Sequence, residues 1–196
     1  MSYTLNLETD EEAKEMQKAA LILEGGAKRG VFTSGVLDYL MEQEYYIPHV
    51  IGVSAGSCNA VDYVSRQPGR TKACMIRSGE DGKIINFHNF FQTKSLLDMD
   101  LIFERDPKEL HPFDFDTYFA SDMTCEIVVT NCESGQAEYY SEKEDGDRLM
   151  QLCRASSSMP LVTPMVEIDG VPYLDGGIAD SIPLIHSMRS GYRKNV

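Results

Sequence analysis

The order of apolar and polar positions predicts a chain in which buried strands alternate with amphipathic helices. Residues 19–23 form an unbroken apolar run, which is typical of a strand buried on both faces of a parallel sheet. A glycine-rich loop follows, and apolar residues then recur at helical spacing between 31 and 41. A second apolar run at 50–53 leads into a helix-compatible segment at 57–66. The opening of the chain therefore predicts a βαβα unit with a right-handed crossover.

The remainder of the chain predicts shorter elements. They are helices at 71–77, 145–155 and 183–190, strands at 124–130 and 137–141, a hairpin of strands 165–168 and 171–174, and the start of a strand at 192–196. Residues 87–119 differ, because Phe and Tyr are interleaved there with Asp and Glu. This segment fits either an aromatic cover over a substrate groove or a satellite core under long loops.

The junction after the second predicted strand carries the clearest chemical motif. Gly52 and Gly56 flank Ser54 in a Gly-x-Ser-x-Gly sequence, which is typical of a nucleophile elbow between a strand and a helix. Glycines remove the side chains that would collide in so tight a turn. The serine oxygen then lies at a helix N-terminus, where backbone N–H groups favour the negative charge that forms during attack. Alone, the motif also fits an ordinary glycine-rich turn.

The earlier glycine-rich loop has two interpretations. It imitates a dinucleotide-binding fingerprint, but that interpretation needs an acidic residue after the second strand, where the serine motif stands instead. Alternatively, the N–H groups of Gly25, Gly26 and Ala27 form an oxyanion hole beside the elbow, with Ala55 N–H as a further donor. Arg29 either braces this loop and adds positive potential or is an ordinary surface charge.

A serine nucleophile needs a partner that accepts its proton. Ser54, Asp175 and His186 satisfy the chain order of an α/β-hydrolase triad, but His186 falls inside a predicted helix. Asp175 follows a predicted strand, and Gly176 and Gly177 leave it free to enter a tight turn beside a neighbouring loop. Its carboxylate is then a candidate for direct proton acceptance. The alternative is a simple Asp-Gly turn.

Composition and charge narrow the class of protein. A length of 196 residues favours one domain with a proper hydrophobic core. The net charge of −13 argues against nucleic acid and permits at most peripheral membrane contact. No apolar run reaches the length of a membrane span, and the polar start of the chain does not resemble a secretory signal. We therefore expect a cytoplasmic protein with an acidic tail at 1–18 and one domain at 19–196.

The five cysteines are scattered along the chain. No Cys-x-x-Cys pair exists, and no His/Cys cluster has the spacing of metal ligands. This pattern predicts reduced thiols in a reducing compartment and no metal site.

Blocks of sequence from 20 to 191 together resemble those of the patatin-like phospholipases. Leu-Glu-Gly-Gly-Ala-Lys-Arg-Gly at 23–30 is similar to the oxyanion loop of that family, and Gly-Val-Ser-Ala-Gly at 52–56 to its elbow. Ala-Ser-Ser-Ser-Met-Pro at 155–160 and Asp-Gly-Gly at 175–177 resemble its last two blocks. The match is best to the bacterial stand-alone cytoplasmic branch.

The resemblance implies a fold and a mechanism. The fold is a three-layer α/β/α sandwich with a mostly parallel central sheet. The activity is that of a lipid acyl hydrolase of phospholipase A or esterase type, which acts on lipid or fatty-acyl esters through a serine acyl-enzyme. The dyad is Ser54 and Asp175, with no catalytic histidine, metal or cofactor.

Two departures from the family pattern raise an alternative. Ala27 replaces the usual third glycine of the oxyanion loop, and an alanine at positive φ would cost about 1 kcal/mol. Few residues follow Gly177, so we expect a domain truncated at its C-terminus, with an exposed sheet edge that supports homo-oligomerisation. The alternative function is a non-catalytic lipid-binding or regulatory protein on the same fold.

Overall fold

The opening of the chain folds in the predicted order. The computed structural model describes residues 18–76, 95 and 97–196. Its first elements are β1 (Ala19–Leu23), α1 (Gly30–Glu42), β2 (His49–Val53), α2 (Ala55–Val64) and α3 (Arg70–Met75). The two apolar runs form strands that are buried on both faces, because helices cover the sheet.

The later elements also agree with the apolar pattern. They are a π-helix (Leu101–Leu110), α4 (Phe115–Ala120), β3 (Thr124–Asn131), β4 (Ala137–Tyr140), α5 (Gly146–Ser156), β5 (Val166–Ile168), β6 (Val171–Asp175), α6 (Leu184–Arg189) and β7 (Lys194–Asn195). Pro107 lies inside the π-helix and has no N–H group to donate, so regular α-helical bonding is interrupted there. Asp169 and Gly170 turn the β5–β6 hairpin with φ of 53° and 80°.

The sheet is parallel in one half and antiparallel in the other. Within the described residues its strands lie in the order β5-β6-β3-β2-β1-β7, and β4 also pairs with β3. Strands β7, β1, β2 and β3 are parallel neighbours. The pairings of β3 with β4, of β3 with β6 and of β5 with β6 are antiparallel. The expected mostly parallel sheet is therefore met only in part.

Alternate residues of the central strands supply hydrophobic cores on opposite faces of the sheet. The larger core includes Val50, Ile127 and Val129 from the strands with Tyr63, Val64, Leu149 and Leu152 from α2 and α5. The smaller one contains Ile51, Val53 and Val128, with Tyr139 packed against it. Each fully buried aliphatic side chain contributes about 1.5–3 kcal/mol to folding. The sheet with helices on its flanks confirms the expected α/β architecture.

The structure tests some of the predictions for the two ends of the domain and for the Phe-rich segment. Of the acidic tail at 1–18, all but Lys18 lies outside the described residues, as does most of 77–96. In the described part of the Phe-rich segment, Phe113 and Tyr118 belong to the larger core. The predicted last strand is confirmed, since Val196 exchanges backbone hydrogen bonds with Ala20 and Ile22. Homo-oligomerisation through a sheet edge stays a prediction.

No helix in the described part of the chain is long and apolar enough to cross a membrane.

Candidate active site

Ser54 occupies a strained turn between β2 and α2. Its φ of 55° and ψ of −125° lie outside the regions that a serine ordinarily adopts, at a cost of about 1–3 kcal/mol. Hydrogen bonds hold this conformation on both sides. The Ser54 N–H donates to Ser156 Oγ at 2.8 Å, and Ser57 donates its N–H and hydroxyl to the Ser54 carbonyl at 2.9 and 2.6 Å. The sharp turn between strand and helix that the motif predicts is therefore present.

Glycines allow the elbow to contact its neighbours directly. A Cβ atom on Gly56 would lie 2.1 Å from the Leu23 carbonyl oxygen at the end of β1, and one on Gly52 would lie 2.5 Å from the Gly56 oxygen. A Cβ atom on Gly25 would lie 2.8 Å from the Cβ of Ser54. No side chain fits at these positions, so the two glycine-rich loops pack against each other at the serine.

Asp175 lies at the end of β6, beside the elbow. Sheet pairing places Val128 of β3 opposite Val53, and the next residue of β3 opposite Asp175. The Ser54 hydroxyl lies close enough to the Asp175 carboxyl group to lower the pKa of that carboxyl. Gly177 N–H donates to the same carboxyl at 2.8 Å. The sequence-predicted pair is thus brought into contact.

Asp175 is largely buried, with an exposed fraction of 7%, and this burial affects the pKa of its carboxyl group. Loss of solvent raises the pKa of the Asp175 carboxyl above its ordinary value of 3.8, against the lowering effect of the nearby Ser54 hydroxyl and the Gly177 N–H. A raised pKa makes this carboxylate a stronger base than an exposed aspartate.

The segment at the end of α5 contacts both Ser54 and Asp175, and sequence reasoning gave it no chemical role. Ser156 is fully buried, and its hydroxyl donates to the Val128 carbonyl at 2.6 Å while it accepts from Ser54. The Ser158 backbone carbonyl accepts the Asp175 N–H at 2.8 Å. The block at 155–160 resembles that of the family, and the two bonds of the Ser156 hydroxyl explain why a serine stands at that position.

Of the residues expected to form the oxyanion hole, Gly25 packs against Ser54, and Ala27 and Ala55 line the same cavity as the serine. Gly26 has a φ of 146° and Ala27 a φ of 49°, so the alanine does adopt the left-handed region. This backbone conformation costs an alanine about 1–2 kcal/mol. The Arg29 side chain folds back over the loop, with its Nε 3.4 Å from the place of a Cβ atom on Gly26. Ala27 and Ala55 both line the cavity into which Ser54 opens.

That cavity has a volume of about 180 Å³ and a largely apolar lining. Its apolar residues include Val61 from α2, Met150 from α5, and Ile102 and Phe103 from the π-helix. One part of the wall is charged. There Arg70 Nη1 lies 2.8 Å from Asp62 Oδ1, and the Thr71 hydroxyl donates to Asp62 Oδ2 at 2.6 Å. The site therefore joins a serine–carboxylate pair to an apolar chamber with a polar end.

His186 is engaged elsewhere. Its Nε2 lies 2.6 Å from Glu126 Oε2, and its ring stacks on Tyr139 with a centroid distance of 3.5 Å. His49 Nε2 lies 2.9 Å from the other Glu126 oxygen. Burial raises the pKa of Glu126, but its contacts with the two histidines outweigh this and hold that pKa below its ordinary value. Neither histidine lines the cavity at Ser54.

A group of possible metal ligands lies at the charged part of the wall. Within the described residues, Cys74, Asp106 and His111 place ligand-type atoms within 4.8 Å of one another. His111 Nδ1 already pairs with Asp106 Oδ1 at 2.7 Å. Burial raises the pKa of the Cys74 thiol far above its ordinary value, which opposes the thiolate that a metal requires.

Comparison with known proteins agrees with this geometry. The family model described as Patatin-like phospholipase matches residues 21–187, and the chain belongs to that family. The chain is also similar to the uncharacterized protein YjjU of Escherichia coli (strain K12), at 29% identity over 179 residues. That match covers 89% of this chain and 49% of YjjU, so the chain spans about half the length of the curated relative it matches.

Proposed function

We propose that the chain is a lipid acyl hydrolase in which Ser54 is the nucleophile and Asp175 the base. The observation that carries the proposal is the proximity of the Ser54 hydroxyl to the buried Asp175 carboxyl, with Ser54 in the wall of an apolar cavity. Membership of the patatin-like phospholipase family supports an ester of a fatty acid as the substrate.

The proposed reaction begins with attack of Ser54 Oγ on the ester carbonyl carbon. The serine proton passes to Asp175, and the carbonyl oxygen takes the negative charge. Backbone N–H groups of Gly25, Gly26, Ala27 and Ala55 are the proposed donors to this oxyanion, each worth about 3 kcal/mol of transition-state stabilisation. Collapse of the intermediate breaks the ester bond, and the alcohol leaves with the proton from the carboxyl group.

The second half of the reaction regenerates the enzyme. Asp175 takes a proton from a water molecule, whose oxygen attacks the acyl-serine carbonyl. Breakdown of this second intermediate returns the proton to the serine and releases the fatty acid. Burial supports the role of the carboxyl in both halves, because a raised pKa brings an aspartate closer to the working pH.

Covalent labelling tests the proposal directly. A fluorophosphonate probe should label the wild-type chain and leave Ser54→Ala unlabelled, and hydrolysis of p-nitrophenyl esters should follow the same pattern. Asp175→Asn should keep the fold but lose most of the labelling rate. A folded wild-type sample that shows neither labelling nor ester hydrolysis would sink the proposal.

Ala27 favours a second candidate, a non-catalytic lipid-binding protein on the same fold. Its φ of 49° burdens the oxyanion loop with strain that a glycine would avoid. If this strain disables the loop, the chain should bind fatty acids without turnover, and Ala27→Gly should restore hydrolysis. Equal activity of the wild type and Ala27→Gly would remove this candidate.

A further inference from the structure

We infer that the cavity at Ser54 is an acyl pocket of limited length, closed by the buried Arg70–Asp62 ion pair, so that the preferred substrates are esters of medium-chain acids of about six to ten carbons. The inference rests on the proposed function and names the acyl group that the site accepts. It follows from the length of α2, from the nature of the pocket's far end and from the cavity volume.

The positions of cavity-lining residues along helix α2 give the length of the pocket. Ser54 precedes its first residue, and Cys58, Val61 and Asp62 line the same cavity at successive turns. An α-helix rises about 1.5 Å per residue, so Asp62 lies about 12 Å along the axis from Ser54. Cys58 lies about 6 Å along it, halfway down the pocket.

The far end of this path repels hydrocarbon. Arg70 and Asp62 are buried, with exposed side-chain fractions of 12% and 4%, and they are 2.8 Å apart. Further bonds fix them, since Thr71 donates to Asp62 and Arg70 Nε donates to the His111 carbonyl at 3.1 Å. An alkyl chain that separated this pair would leave charges buried without partners, which is strongly unfavourable. The ion pair therefore ends the apolar path.

Length and volume agree on the size of the acyl group. An extended alkyl chain advances about 1.25 Å for each carbon–carbon bond of about 1.5 Å, so about ten carbons span the 12 Å path. The cavity volume of about 180 Å³ is slightly larger than the roughly 150 Å³ cavity that accommodates benzene, with its six carbons. A chain of sixteen carbons would extend about 19 Å, well beyond the ion pair.

A series of p-nitrophenyl esters from two to sixteen carbons tests this length limit. We expect kcat/KM to peak between six and ten carbons and to fall at least tenfold at sixteen. Cys58→Leu should block the pocket halfway and shift the peak to four carbons or fewer. Since each methylene that leaves the cavity costs about fourfold in binding, the octanoyl ester should lose at least tenfold. Cys132 does not line the cavity, so Cys132→Leu is the matched control for the same change of side chain.

Binding measurements keep the inference testable apart from catalysis. In Ser54→Ala, calorimetry should show octanoate bound at least tenfold more tightly than palmitate, and Cys58→Leu should remove that preference. A best substrate or ligand of twelve carbons or more, or a profile unchanged by Cys58→Leu in a folded protein, would overturn the inference. Octanoate binding without hydrolysis of any ester would instead overturn the proposed function and leave the pocket length supported.

Discussion

The buried hydroxyl of Ser156 offers the sharpest test of how the elbow is held. It accepts the Ser54 N–H at 2.8 Å and donates to the Val128 carbonyl at 2.6 Å, with no exposure to solvent. Ser156→Ala removes both bonds and almost no volume. It should therefore weaken the support of the strained serine while leaving the cavity and Asp175 in place.

The magnitude follows from the groups left unpaired. A buried amide without a partner costs about 1–3 kcal/mol, and in a chain of this size each kcal/mol lowers Tm by about 2–4 °C. The strain of the Ser54 backbone is of the same order, about 1–3 kcal/mol. Loss of the bond should therefore depopulate the reactive conformation. Since each 1.4 kcal/mol corresponds to tenfold in rate, kcat/KM should fall about tenfold to a hundredfold.

The assay compares thermal unfolding with the rate of fluorophosphonate labelling at Ser54. Ser34→Ala is the matched control, because Ser34 is also buried but its hydroxyl donates to the Val31 carbonyl within its own helix. That variant should lose about 1 kcal/mol of stability or less and label at the wild-type rate. If Ser156→Ala lowers Tm but labels as fast as the wild type, its hydroxyl supports the fold without positioning the nucleophile, and the reasoning fails.

Further predictions concern the base, the oxyanion loop and the histidine alternative. Asp175→Asn should abolish hydrolysis yet raise Tm at pH 7, because burial raises the pKa of Asp175 above 3.8 and its ionisation therefore lowers the stability of the wild type as pH rises. The gain in Tm should vanish below about pH 3.8, where the carboxyl is protonated in both the folded and the unfolded chain. A gain that persists below that pH would contradict a raised pKa. Gly25→Ala should abolish labelling of Ser54, because its new Cβ atom would lie 2.8 Å from the Ser54 Cβ. The control Gly35→Ala, which has open space around it, should stabilise α1 by about 0.5–1 kcal/mol and keep activity. Equal labelling of both variants would refute the close packing of Gly25 against Ser54. His186→Gln should retain hydrolysis, because His186 does not line the cavity at Ser54. A folded but inactive variant would instead support His186 as the catalytic base.

Local signals were enough to predict the elements and the elbow. The run at 19–23 is apolar throughout because the strand is covered on both faces, and Gly-x-Ser-x-Gly has few structural uses at the end of such a strand. The position of Ala27 at a family glycine also raised the question of a positive φ there, and its φ is 49°. In each case the residues that carry the sequence signal lie within a few positions of one another along the chain.

Contacts between residues that are distant in the sequence could not be predicted from these local signals. The role of Ser156 depends on Ser54 and Val128, which are distant in sequence and meet it only after the sheet forms. The antiparallel pairing of β3 with β6 likewise has no local signature, because both strands carry the apolar residues that either direction allows. The charged end of the cavity depends on α2 and α3 packing together, which places Arg70 against Asp62.

The antiparallel half of the sheet explains how a carboxylate comes to occupy the position of a base. Because β6 runs against β3, its last residue reaches the level where β2 ends, and Asp175 faces the elbow from within the sheet. Its backbone is fixed by bonds from Asp175 N–H to Ser158 and from Thr130 to the Asp175 carbonyl, at 2.8 Å each. A histidine on a flexible loop would need a third residue to orient it, whereas this carboxylate is oriented by strand pairing. The same place in the sheet buries the carboxyl and raises its pKa, so under the proposed mechanism strand pairing supplies both the position and the basicity that a two-residue site requires.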